Sequence, residues 1–290
     1  MSVIGAWGER MANNKFKLIS DIRITVIDSE FDDAHSPLSP QQTVNILASG
    51  SSIYSANLNK ISQQPCIFVN GSIELMGKYD FTHPIAYVIT DPRFIRHNLA
   101  ILQNRYRGQC PLYITQAVLE KLADTDPHLI EQYAQHLRLI YSVERPIRQP
   151  SKLFLAKFFR KNNKRLLMDF ANHPQFVIER HGDTTIGVSL DIRHGFVEAG
   201  TVAFVATQLA YRLGFSEIHL YGIDLINAHE PRFYENAQNS APSKIAPAIY
   251  NRIVPSFDLL ASVYQQHGVM VYNHSPVSKD LFTELSYVAT

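Results

Sequence analysis

Residues able to move protons or hold anions crowd the stretch Gly222–Glu235, GIDLINAHEPRFYE. Asp224 follows a glycine at the end of a buried strand pattern, Ser216–Tyr221. A carboxylate there faces a crevice, where it can take a proton from a hydroxyl or fix a sugar hydroxyl. The competing reading is a loop cap. Glu230 and His229 stand in reserve as general bases, and Arg232 and Tyr234 can hold a phosphate or carboxylate, the arginine through its planar fork.

Three earlier turns carry small polar residues: Ser49-Gly50-Ser51-Ser52, Asn70-Gly71 and Asp91-Pro92. Glycine lets backbone amides approach a phosphate, hydroxyls add donors, and the Asn amide can read a base or ribose edge. Each also has an ordinary reading, as a strand-to-helix turn or an N-cap with proline at the first helical position. Their occurrence at three successive strand ends is what points to binding. Neither a Walker loop nor a dinucleotide GxGxxG spacing is present. Asp124-Thr125-Asp126 matches a metal-binding DxD, but capping ahead of Pro127 explains it. The 12 histidines show no HxxxH or HxH spacing, so no metal site is expected.

The elements that must position these residues follow from periodicity. Val44–Ala48, Cys66–Val69 and Ile85–Ile89 are short apolar runs closed by polar turns, each followed by a helix pattern. This is a βαβαβ unit, and its strand ends open onto one edge. A helix is predicted over Ala199–Leu213, then the strand Ser216–Tyr221, a helix over Ile253–Gln266 and a strand over Val269–Tyr272. Gln116–Ile140 reads as one or two helices broken near Pro127, and Phe176–Leu190 as strand-like pieces around His181-Gly182-Asp183. The fold class is therefore α/β, a Rossmann-like, mostly parallel sheet flanked by helices. Residues 1–40 are expected as an extension and 41–290 as one domain, with 140–190 a helical, membrane-facing insertion and 227–250 a lid loop.

The chain has 290 residues, 46% of them hydrophobic, with a net charge of +1. That near-neutral total argues against a nucleic-acid partner bound by bulk charge. Cys66 and Cys110 lack metal-ligand spacing, and Cys66, in an apolar strand pattern, reads as a reduced core thiol of a cytoplasmic protein. The N-terminus lacks the layout of a secretory leader, and no run has the ~20 apolar residues of a membrane span. Lys152–Arg165 mixes six cations with aromatics and no acid (KLFLAKFFRKNNKR). It suits an anionic membrane surface, or else is a solvated helix with its apolar side on the core.

GTVAFVATQLAYRLGFSEIHLYGIDL, then RFYEN and VYNHSPVS, resembles the bacterial lipopolysaccharide-core Kdo transferases that add a further Kdo to the inner core. ILASGSS, FVNGS and IAYVITDPRF agree in order. More distantly, the order of elements is similar to the bacterial sialyltransferases that use CMP-sialic acid. The resemblance implies a sialyltransferase-like variant of the glycosyltransferase fold with a small lid. It implies transfer of Kdo from CMP-Kdo to a lipid A–Kdo acceptor, without a cofactor or catalytic metal, on the cytoplasmic face of the inner membrane.

CMP is then expected across Ser49–Ser52 and Asn70-Gly71, with Asn273 and Ser275 on the same donor side. Asp91 falls at a sugar-contacting position, Glu198, Gly200 and Thr201 at a donor-gripping turn, and Arg232 and Tyr234 in the lid near the leaving phosphate. The sialyltransferases use a lid histidine as base. Asn236–Tyr250 has none, which leaves Asp224, His229 or Glu230. Two alternatives remain open: a transferase of sialic or another ulosonic acid, and a non-catalytic nucleotide- or glycan-binding protein.

Overall fold

The computed structural model describes residues 16–19, 22–28, 43–147, 165–227, 230–235 and 246–289. One sheet of ten strands takes in β1 (Phe16–Ile19), β2 (Ile22–Val26), β3 (Thr43–Leu47), β4 (Pro65–Val69), β5 (His83–Ile89), β6 (Leu112–Thr115) and β7 (Leu137–Ile140). The strands β8 (Phe176–His181) and β9 (Thr184–Ser189) form a separate antiparallel hairpin, and β10 (Glu217–Tyr221), β11 (Met270–Asn273) and β12 (Ser286–Tyr287) complete the large sheet. Its order is β1-β2-β7-β6-β5-β4-β3-β10-β11-β12, and every pairing is parallel except β1 with β2.

The strands read as continuous apolar runs because both faces of the sheet are covered. Val44, Ile46, Ile67, Val69 and Val88 pack into one layer with α5 (Val202–Arg212) and α6 (Val254–Gln266). The alternating residues Leu47, Cys66, Phe68, Tyr87 and Ile89 pack into the other. That second layer contains α1 (Leu58–Ile61), α2 (Pro92–Arg105), α3 (Gln116–Thr125) and α4 (Pro127–Tyr133). Fully burying one such side chain contributes roughly 1.5–3 kcal/mol, so the two layers fix the register against slippage.

The strand order reverses at β3. From it the chain builds β4, β5, β6 and β7 to one side, then crosses through α5 to lay β10 against β3 on the other. Adjacent loops part at such a switch point, leaving a crevice at the strands' carboxyl ends.

Three expectations are corrected. β6 and β7 lie within 105–140, where no strand was expected; each has only four residues, too few for a period of two to stand out. The helix expected after Ser52 shrinks to a 3₁₀ turn, Ser51–Ser55, and α1. Within the expected helical insertion 140–190, the described residues contain no α-helix but a 3₁₀ turn at Leu167–Phe170 and the β8–β9 hairpin, whose Ile186 and Val188 are buried in the core. Residues 151–164 of the basic-aromatic segment lie outside the described residues, as do 228–229 and 236–245 of the expected lid. Ile22–Val26, from the expected extension, pairs with β7. No helix among the described residues is long and apolar enough to cross a membrane.

Candidate active site

A cavity of about 460 Å³ opens at the switch point between β3 and β10. Its lining includes Ser49, Gly50 and Ser51 after β3, Asn70 after β4, Asp91 after β5, Asp224 after β10, Glu198, Gly200 and Thr201 ahead of α5, and Glu230 and Arg232. Most of the predicted site residues, spread over more than 180 positions of sequence, thus meet on one edge.

The β3 and β10 turns are tied together. Gly50 N donates to Gly222 O at 2.9 Å, and Ser52 N donates to Asp224 Oδ2 at 2.8 Å, while the Ser52 hydroxyl donates to Asp224 Oδ1. Both Asp224 oxygens therefore accept from one residue. A Cβ on Gly50 would stand 2.4 Å from the Asp224 carboxyl carbon, so glycine is what admits the carboxylate. Asp224 lines the cavity, but its oxygens are engaged as a clamp on the Ser49–Ser52 turn. Ser52 holds that clamp and does not line the cavity.

Asn70 takes a left-handed backbone, φ 48°, uncommon for a residue with a side chain. Its carbonyl accepts the Tyr87 hydroxyl at 2.6 Å, and its buried Oδ1 has no hydrogen-bond partner. The left-handed backbone turns the chain sharply out of β4 at the cavity edge, and Asn tolerates that conformation better than most side chains. Gly71, expected beside it under the CMP, is buried and absent from the lining: a Cβ there would lie 2.1 Å from the Tyr234 ring. Tyr234 packs over Gly71, and burial raises its hydroxyl pKa well above the usual range.

Asn273 and Ser275, expected on the donor side, are not in the cavity lining. Both are fully buried and lie behind the site. Ser275 Oγ accepts Ile223 N at 2.6 Å, Ser278 Oγ accepts Leu225 N at 2.9 Å, and Asn273 Oδ1 accepts Ser275 N at 2.9 Å. These groups satisfy the backbone of the Gly222–Leu225 turn and so aim Asp224. His274, between them, shares a 2.7 Å hydrogen bond with His219 and stacks on Tyr221. Burial first, and the neighbouring His219 second, push its pKa down to about 4.

The charges pair locally. Burial tends to raise the Asp91 carboxyl, but hydrogen bonds from the Arg93 side chain and amide outweigh it and hold the pKa below its ordinary value. Arg232 is paired with Glu235. Glu198 Oε1 lies 3.5 Å from Arg145, and Glu198 O accepts from Arg252. The Glu230 side chain lines the cavity, is exposed, and has no hydrogen bond or ion pair among the described residues. His229 lies outside the described residues. Sequence reasoning missed Thr90, Arg93, Arg145, Asn227 and Arg252, all in the lining. Arg93, two residues after Asp91, was within reach of a capping argument; Arg145 and Arg252 carry no local signal. Asp126 of the DxD match accepts from Gln103 and lies outside the cavity. Among the described residues, no group of three or more His, Cys, Asp or Glu side chains is placed to hold a metal.

The chain is 26% identical over 219 residues to a probable 3-deoxy-manno-octulosonic acid transferase of Salmonella typhimurium, covering 74% of this chain and 76% of that protein. It is 27% identical over 218 residues to a protein of the same description from Escherichia coli K12, covering 74% and 71%. Solved structures with some likeness include the MAf glycosyltransferase of Magnetospirillum magneticum, at 15% identity, TM-score 0.44, and 88% of this chain against 34% of that one. The sialyltransferase CstII of Campylobacter jejuni, in complex with cytidine-5'-monophosphate, gives 17% identity, TM-score 0.38, and 81% against 80%. These scores are low, and membership rests on the sequence match. A model of the family described as 3-deoxy-D-manno-octulosonic acid transferase WaaZ matches residues 37–285, and the chain belongs to that family of glycosyltransferases.

Proposed function

We propose that this protein transfers 3-deoxy-D-manno-octulosonic acid from its cytidine monophosphate ester to the inner core of lipopolysaccharide, with a lipid A bearing the same sugar acid as acceptor. The observation that carries this is the convergence of turns from separate strands on one cavity at the switch point, in a chain of this family. The nucleotide lies along Ser49–Ser51 and Asn70, which line the cavity at the ends of β3 and β4.

In the reaction the acceptor hydroxyl oxygen bonds to the anomeric carbon as that carbon's bond to the phosphate oxygen breaks. The electron pair leaves on CMP, and the hydroxyl proton passes to a carboxylate. With both Asp224 oxygens engaged by Ser52, Glu230 is the better placed base and Asp224 the residue that holds the nucleotide turn. Preorganised amides and hydroxyls at the turns stabilise the departing phosphate, with no metal in the mechanism. The sequence of Lys152–Arg165 supports docking on the inner membrane, where the acceptor resides.

Incubation with CMP-sugar acid generated in situ and a Kdo-bearing lipid A tests the reading. The expected result is CMP release with one added sugar acid per acceptor; no release and no transfer overturns it. CMP-sialic acid as competitor decides the donor. Glu230→Gln is expected to lower kcat about 10²–10⁴-fold with little change in KM, the range for a lost general base.

A further inference from the structure

We propose that Arg145 and Arg252 form a grip for the carboxylate of a sugar acid, on the Glu198–Thr201 side of the cavity. The inference deepens the function proposed above and rests on it. Arginines 93, 145, 232 and 252 all line the cavity. Arg93 is bound by Asp91 through its side chain and its amide, and Arg232 is bound by Glu235. Arg145 and Arg252 are held differently. Arg145 reaches the Glu198 carboxylate only at 3.5 Å and leaves 62% of its side chain exposed. Arg252 donates from Nη2 to the backbone carbonyl of Glu198, a neutral acceptor, and has no carboxylate partner among the described residues. One glutamate thus orients two guanidinium groups while neutralising at most one of them.

The framework aims both at one place. Arg145 closes the Ser142–Arg145 turn after β7, and Ser142 bridges to Phe196 two residues before Glu198. Arg252 sits in a single π-helical turn, Ile249–Ile253, just ahead of α6. Such turns are uncommon, and they recur where a helix must present a side chain to a site. A guanidinium has five donors in a plane, so Arg252 keeps donors beyond the one given to Glu198 O. A carboxylate matches that fork in a bidentate pair, and a half-buried cavity screens the pair less than open water.

The unit named in the family description is an octulosonic acid, whose carboxylate adjoins the reacting carbon. In the proposed reaction both the donor sugar and the acceptor's terminal sugar carry one. The grip takes one of these two carboxylates, and kinetics separate the sources.

The test uses the full chain with Arg145→Gln, Arg252→Gln, the double variant and Arg252→Lys. Free 3-deoxy-D-manno-octulosonic acid and its methyl ester are titrated into each by NMR, a readout that needs no turnover. The wild type is expected to bind the acid and not the ester, the double variant to lose the acid, and Arg252→Lys to recover part of it. In transfer assays one substrate, donor or acceptor, is expected to show a KM raised about 10- to 100-fold in the double variant, while CMP alone binds as in the wild type. A donor effect assigns the grip to the transferred sugar and an acceptor effect to its recipient. Equal binding of acid and ester, no acid binding by the wild type, or unchanged KM for both substrates overturns the grip. Failure of the wild type to transfer any sugar acid sinks the proposed reaction instead, while the acid–ester titration still reads the arginines. Arg145→Gln alters a mostly exposed side chain, so it keeps the test open if Arg252→Gln fails to fold.

Discussion

Two parts of the cavity lining follow opposite plans. The turns after β3, β4 and β10 use short residues whose hydrogen bonds close on one another: Ser52 on Asp224, Gly50 on Gly222, Ser275 and Ser278 on the Ile223–Leu225 backbone. The Glu198 side uses long arginines from distant segments, held by one carboxylate and one carbonyl. The first plan gives rigidity, because the Ser52, Asp224, Gly50 and Gly222 groups bond to one another across the β3 and β10 turns. The second gives charge, because each guanidinium keeps donors in hand. The transfer proposed above, which seats a nucleotide and balances sugar-acid carboxylates, would draw on both.

The sharpest way to break this comparison is Gly71→Val. Its side chain enters the volume of the Tyr234 ring, and overpacking of this kind costs about 1–3 kcal/mol. Lower thermal stability together with weakened CMP binding is expected; unchanged melting would mean that the turn side is not rigid. Ser52→Ala and Asp224→Asn come next. As a clamp, the pair contributes about 1–2 kcal/mol, the low end for a hydrogen bond to a charged group because Asp224 is half-buried. Both variants should then raise the nucleotide KM to a similar extent. A collapse of kcat in Asp224→Asn alone, with Ser52→Ala unaffected, would return Asp224 to the role of base. The arginine side responds in the other sense: KM moves in the Arg145 and Arg252 variants while the melting temperature holds.

Acid sharpens the contrast. His274 titrates near 6.5 when unfolded and is pushed down to about 4 in the fold, so between those values the unfolded chain binds more protons. The stability from this group is fully present above pH 6.5 and is lost as pH falls towards 4. Melting followed over that window should decline, and His274→Gln should flatten the decline. The smallest effect belongs to Thr201→Ala. The Thr201 hydroxyl caps α5 at 3.4 Å, a long bond, and its loss should cost about 0.5 kcal/mol of stability, read from the shift in denaturant midpoint at unchanged slope.

The polar strand-end turns were legible in sequence because they are local: an apolar run, then Gly, Ser, Asn or Asp, is a chain leaving a sheet. Asp224 shows the limit of that reading. Its position at the strand end was readable, but its engagement by Ser52, 172 residues away, was not. Asn273 and Ser275 carried the same local pattern as Ser49 and Asn70, yet they sit behind the turn, because β11 lies one strand out from the switch point.

By itself the sequence determined the alternation of buried strands and amphipathic helices, the parallel sheet and the edge on which polar turns gather, since each follows from periodicity and burial over a few residues. Only the tertiary structure decided which carboxylate is already engaged, that Tyr234 covers Gly71, and that two arginines from separate segments share one glutamate. Those facts depend on strand order and on contacts between distant turns, which no local spacing records.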